Sequence, residues 1–157
     1  MKRTTTILLI SALLGSGSAA AADWVVKPVQ GASGQASKCL LESEKKEIFD
    51  GYQKTAIYIV VDGASVAVKS ASLLDPGFSD IGMRVDKDAF IAMDKVIQDK
   101  TASFDSNYAI IVEEFKRGLK VNVQLRFWPT WPVTGTHSAT LSLIGFTKAF
   151  TEMSDCK

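Results

Sequence analysis

Histidine and cysteine are scarce in this 157-residue chain, which holds one of the first, His137, and two of the second, Cys39 and Cys156. A lone imidazole excludes a multi-histidine metal centre. Neither a Gly-rich phosphate loop nor a Gly-x-Ser-x-Gly nucleophile elbow occurs, and no cofactor is expected. An excess of either charge is also missing, because 18 Lys and Arg offset 17 Asp and Glu to a formal charge of +1. Without a basic field, neither nucleic acid nor anionic lipid is expected as a partner. Long apolar runs are absent too. The stretch that comes nearest, residues 4–14, ends at Gly15-Ser16-Gly17-Ser18, short of the ~20 apolar residues a helix needs to cross a bilayer core. No repeat, low-complexity tract or long linker divides the remainder.

That short stretch fits a different role. Lys2 and Arg3 precede it and small residues follow it to Ala22, the three-part layout of a cleavable secretory signal. Ala20-Ala21-Ala22 satisfies the small-x-small rule of signal peptidase, so the cut is expected before Asp23. The nearest cysteine, Cys39, is too far downstream for a lipid anchor at that cut. Residues 1–22 are thus read as a signal peptide and residues 23–157 as one β-rich domain placed in a bacterial periplasm. Loss of Lys2 and Arg3 takes its formal charge from +1 to −1.

Export puts Cys39 and Cys156 in an oxidising compartment, where a disulfide between them is the leading expectation. It would close nearly the whole domain in one loop, and the lost chain entropy of the unfolded state would contribute roughly 4–5 kcal/mol. Two separate buried thiols are the alternative.

Periodicity predicts mostly strands. Trp24-Val25-Val26 and Cys39-Leu40-Leu41 flank a small polar loop, residues 31–37, and read as a hairpin. Residues 55–61 form a β-branched and aromatic run that Asp62-Gly63, as a two-residue turn, leads into Ser65-Val66-Ala67-Val68. Asp75-Pro76-Gly77 marks a further turn, with the glycine expected at positive φ. Residues 81–97 fit either a helical face (Phe90, Met93, Ile97) or two strands about Asp86-Lys87-Asp88, and strands are preferred. Tyr108, Ile111, Val112 and Phe115 recur at helical spacing, with Ser106 available as N-cap and Gly118 as a stop. In residues 120–127, Val121, Val123, Leu125 and Phe127 alternate with Lys120, Asn122, Gln124 and Arg126, giving a strand with one buried and one wet face. Ala139, Leu141 and Leu143 repeat that alternation before Phe146, Ala149, Phe150 and Met153 switch to helical spacing. The fold class is mainly β: an antiparallel sandwich or partly closed barrel with one or two short helices, including a C-terminal helix that carries Cys156.

Catalytic signatures are thin. His137 stands in a Gly-Thr-His-Ser context that suits a loop or strand end, and Ser138 beside it on a strand would point to the opposite face. Glu42, Glu44 and Glu47 with Lys45 and Lys46 read as a solvated patch. Asp86, Asp88 and Asp94 lack the glycine and closing glutamate of a calcium loop. The most unusual segment is Phe127-Trp128-Pro129-Thr130-Trp131-Pro132. If Phe127 points inward, Trp128 points outward, so Trp128 and Trp131 are the candidate binding surface; the competing reading has both rings covering an open end of the core.

Asp23-Trp24 directly after the leader, Cys39 after a polar loop, the Asp75-Pro76-Gly77 turn, and Leu141-Ser142-Leu143-Ile144-Gly145-Phe146 with Ala149 following are together similar to the invasion-associated locus B family of bacterial exported proteins. The resemblance spans most of the chain after the leader. It implies a β-rich periplasmic or surface-associated domain in a family named for host-cell entry, without an agreed catalytic activity. Family members often carry further cysteines where this chain has Lys27 or Pro28 and Phe104, so their usual disulfide pattern does not transfer. Two classes of function follow. One is a non-enzymatic domain that binds an envelope or host protein; the other is a hydrolase or isomerase using carboxylates such as Asp86 or Glu113 that only folding brings together.

Overall fold

The structure is a computed structural model that describes residues 23–30, 36–129 and 135–156. The expected signal peptide, residues 1–22, lies outside the described residues, as does Trp131.

Two antiparallel sheets share one core. The first runs in the order β1 (Trp24–Gln30), β2 (Ala36–Ser43), β4 (Lys54–Val61), β5 (Val66–Ser70), β9 (Thr101–Ser103) and β8 (Lys95–Ile97), with β3 (Lys46–Phe49) also paired to β4. The second has the order β11 (His137–Ser142), β10 (Lys120–Leu125), β6 (Gly82–Val85) and β7 (Ile91–Ala92). Neither closes into a barrel. Between β2 and β3 the pairing with β4 skips two residues, and the Ser43 hydroxyl accepts the Ile59 N–H at 2.8 Å in place of a strand partner. The ladder is thus repaired by a side chain where the backbone bends away.

The alternation read from residues 120–127 holds: Val121, Val123, Leu125 and Phe127 are all buried. Leu141 of β11 and Leu143 just beyond it meet them, and Ile57, Ile59, Val61, Val66 and Val68 face them from the larger sheet. Two helices cover the end of this core. A 3₁₀ turn at Asp105–Asn107 leads into α1 (Tyr108–Arg117), which buries Ile111, Val112 and Phe115; α2 (Phe146–Ser154) buries Phe146, Ala149 and Met153 and packs on β1 and β2. Trp24 joins all three elements: its ring centroid lies 6.0 Å from Phe115 and 4.9 Å from Phe146, and its indole N–H donates to the Ser142 carbonyl at 3.0 Å. A buried indole that packs on two phenyl rings and satisfies its N–H is a strong anchor for an edge strand. Cys39 on β2 and Cys156 beyond α2 are joined as a disulfide, with their Cα atoms 5.9 Å apart.

Residues 81–97 form strands, as preferred, with β6 and β7 joined as a hairpin about Asp86-Lys87-Asp88. Three local expectations are corrected. Asp62-Gly63 is not a two-residue turn but opens a four-residue loop, because the Asp62 carboxylate accepts the N–H groups of Ala64 (3.1 Å) and Ser65 (2.9 Å) and so stabilises a wider bend. Gly77 is not at positive φ; the Asp75 carboxylate accepts its N–H at 2.9 Å and makes the turn instead. Ser106 is not the N-cap of α1. It lies inside the 3₁₀ turn, and its N–H donates to Asp94 at 2.8 Å. Among the described residues no helix is long and apolar enough to cross a membrane.

Candidate functional site

The outward position of Trp128 follows from the strand phase. Phe127 is buried and pairs with Leu74 in an isolated bridge, whereas Trp128 is 58% exposed. Its N–H donates to the Leu73 carbonyl at 2.9 Å, and two residues earlier the Arg126 carbonyl accepts the Asp75 N–H at 2.9 Å. Arg126 is itself fixed by two parallel bonds to Asp80, of 2.8 and 2.7 Å, and its guanidinium lies 4.1 Å from the centroid of the Phe78 ring. The Arg126 hydrogen bonds hold the Asp80 carboxyl below its ordinary pKa. The backbone that presents Trp128 is therefore anchored by a bidentate ion pair just upstream.

The β3–β4 hairpin brings further rings to the same end. Its tip, residues 50–53, is a second Asp-Gly loop of the kind seen at Asp62-Gly63: Gly51 adopts φ 104°, and the Asp50 carboxylate accepts the N–H groups of Tyr52 (2.9 Å) and Gln53 (2.8 Å). Ser72 donates to the other oxygen of Asp50 at 2.6 Å, which ties the tip to the segment holding Leu73. Burial opposes ionisation of Asp50, but the Ser72 hydroxyl, the Gln53 and Tyr52 N–H groups and the charge of His137 outweigh it and lower its pKa. Phe49 lies with its ring 6.2 Å from His137, whose other neighbour is buried Phe127 at 5.8 Å. Phe49 (53% exposed), Tyr52 (55%), Leu73 (41%) and Trp128 thus gather at one end of the molecule on backbone held by hydrogen bonds. Single exposed apolar residues are ordinary; several at one end make a candidate contact surface.

Of the residues that would serve a carboxylate enzyme, Asp86 and Asp88 line one cavity but are already engaged, and Glu113 and Asp94 line others. Asp86 spends its carboxylate on the N–H groups of Leu119 (2.9 Å) and Lys120 (3.2 Å), Asp88 pairs with Arg117 (2.8 Å), and Asp94 accepts the Ser106 N–H. Glu113 is exposed, pairs with Lys116 along α1, and lines a different cavity from Asp86. His137 and Ser138 are successive residues of β11, so their side chains leave opposite faces of the sheet. Cys39 and Cys156 serve as a structural bridge.

Phe49, Tyr52 and Leu73 were not foreseen as site residues. The signal for the first two was present in Asp50-Gly51, a hairpin dipeptide set between two aromatics. Leu73 carried none, because its neighbours come from distant segments. The chain matches no protein-family model, no curated protein and no solved structure.

Proposed function

We propose that the chain is an exported, envelope-associated protein of the invasion-associated locus B type that binds an envelope or host protein, without catalysis, at the end bearing Trp128. One observation carries this reading: Trp128 is exposed while its backbone is fixed on Leu73, with Phe49 and Tyr52 at the same end. Tryptophan and tyrosine dominate the energetic centres of protein interfaces, because they bury a large area for few rotatable bonds. A preordered backbone lowers the entropy lost on association. The disulfide and the leader layout of residues 1–22 support a periplasmic address. The engagement of Asp86 by backbone N–H groups and of Asp88 by Arg117, with Glu113 in a different cavity, weighs against hydrolysis or isomerisation by paired carboxylates.

A photoreactive phenylalanine analogue placed at position 128 in living cells tests the reading. The expected result is an adduct with one discrete protein, absent when the analogue is placed at exposed Lys148 on α2. Equal labelling from both positions, or none from 128, contradicts it.

A further inference from the structure

The solvent face of the four-stranded sheet holds a second group of side chains, which runs along β10 from Lys120 to Gln124. Outward positions align in register across three strands, with Arg84 beside Asn122 and Asn122 beside Thr140; one step along, Gly82 stands beside Gln124. Gly82 makes room for an aromatic ring. A Cβ there would stand 2.5 Å from Phe90 Cζ, so the half-buried Phe90 ring lies over β6 on this outer side. Arg84, Asp86, Phe90, Lys120, Asn122, Gln124 and Thr140 line a cavity of about 340 Å³, which adjoins one of about 670 Å³ that Asp86 also lines, with Lys87, Asp88 and Arg117.

Around the two cavities the four cations Arg84, Lys87, Arg117 and Lys120 outnumber the two carboxylates, Asp86 and Asp88. Both oxygens of Asp86 are taken by backbone N–H groups and Asp88 is taken by Arg117. Arg84, Lys87 and Lys120 have no acidic partner among the described residues, although the chain as a whole is nearly neutral. The amides are oriented as well. Gln124 donates to the Asp80 carbonyl at 2.7 Å and Asn122 to the Thr140 hydroxyl at 3.3 Å, which fixes both side chains and keeps their carbonyl oxygens available as acceptors.

A flat aromatic ring, fixed amides, a hydroxyl and unpaired cations suit one ligand class. A pyranose offers an apolar face to an aromatic ring and hydroxyls to amides, and its acid group, carboxylate or sulfate ester, matches the planar fork of a guanidinium. We propose that this face binds an acidic oligosaccharide, stacked on Phe90, hydrogen-bonded by Asn122, Gln124 and Thr140, and held at its acid group by Arg84 and Lys120. The site is separate from the aromatic end, and either reading stands if the other fails.

Titration of the purified protein with an oligogalacturonate, a sulfated oligosaccharide of equal length, a neutral maltooligosaccharide, a short single-stranded oligonucleotide and inorganic sulfate tests the proposal. At least one acidic oligosaccharide should bind about tenfold more tightly than the neutral one, and Arg84→Gln should weaken that binding about tenfold without lowering the melting temperature. Phe90→Leu should weaken it by a similar factor of about ten while its salt dependence persists. The proposal is overturned by equal affinity for neutral and acidic sugars, by no saturable binding, by indifference to both substitutions, or by tighter binding of the oligonucleotide or of inorganic sulfate alone.

Discussion

Glu114 lies on the buried side of α1 with its Oε2 lacking any hydrogen-bond partner among the described residues, and Arg117 approaches its other oxygen no closer than 3.8 Å. Burial raises its pKa, the Asp88 charge raises it further, and Arg117 offsets part of the effect. A carboxyl whose pKa is higher folded than unfolded binds its proton more tightly in the native state. Its penalty is therefore absent below the ordinary carboxylate pKa, grows as pH rises from there towards the folded value, and is complete above it. Glu114→Gln removes the buried charge and should stabilise the protein by about 1 kcal/mol at pH 7, with the gain vanishing in acid. Paired urea denaturations at neutral and acid pH would measure it, and a loss of stability at pH 7 would refute this account of the residue.

At the scale of elements, the β6–β7 hairpin depends on a glycine that allows close approach. A Cβ on Gly82 would stand 2.3 Å from the Ile91 carbonyl oxygen as well as within the Phe90 ring. Gly82→Ala should therefore cost about 2 kcal/mol by forcing the hairpin apart, visible as a lower urea midpoint with little change in slope. An unchanged midpoint would contradict the close packing. Strands whose faces differ were plain in the sequence. Val121, Val123, Leu125 and Phe127 announced β10, because a two-residue period records burial on one side, and the polar loop between Trp24-Val25-Val26 and Cys39-Leu40-Leu41 announced the first hairpin. The loops were less legible. Asp50 and Asp62 turn wider bends than their Asp-Gly dipeptides imply, because each carboxylate captures two backbone N–H groups, an option that strand-pairing rules omit. The α1 start was misplaced because a side chain from a different segment, Asp94, satisfies the Ser106 N–H. Of the aromatic end, Trp128 was read from the sequence and Asp50-Gly51 carried a signal for Phe49 and Tyr52, whereas Leu73 reaches it through a long-range bond that leaves no local pattern.

For the molecule as a whole, the Cys39 to Cys156 bridge spans a separation of 117 residues and fastens the C-terminal helix to the first hairpin. Restricting so long a loop in the unfolded chain contributes roughly 4–5 kcal/mol, comparable to the net stability of a small domain. Denatured, unreduced protein should show no reactive thiol, and a Cys39→Ser, Cys156→Ser double variant should melt well below the parent; two titratable thiols before reduction would remove the bridge from the account. The same framework holds the aromatic end without help from the Trp128 ring, since buried Phe127, the Arg126 to Asp80 pair and the Asp50 loop fix the surrounding backbone. In the function proposed above, Trp128 is displayed for a partner rather than spent on the fold. The direct measurement is the melting temperature of Trp128→Ala set beside its capture of partner protein from an envelope extract. The expected result is a melting temperature within about 2 °C of the parent and a loss of about tenfold or more in capture. A fall of about 5 °C or more with capture unchanged would contradict it.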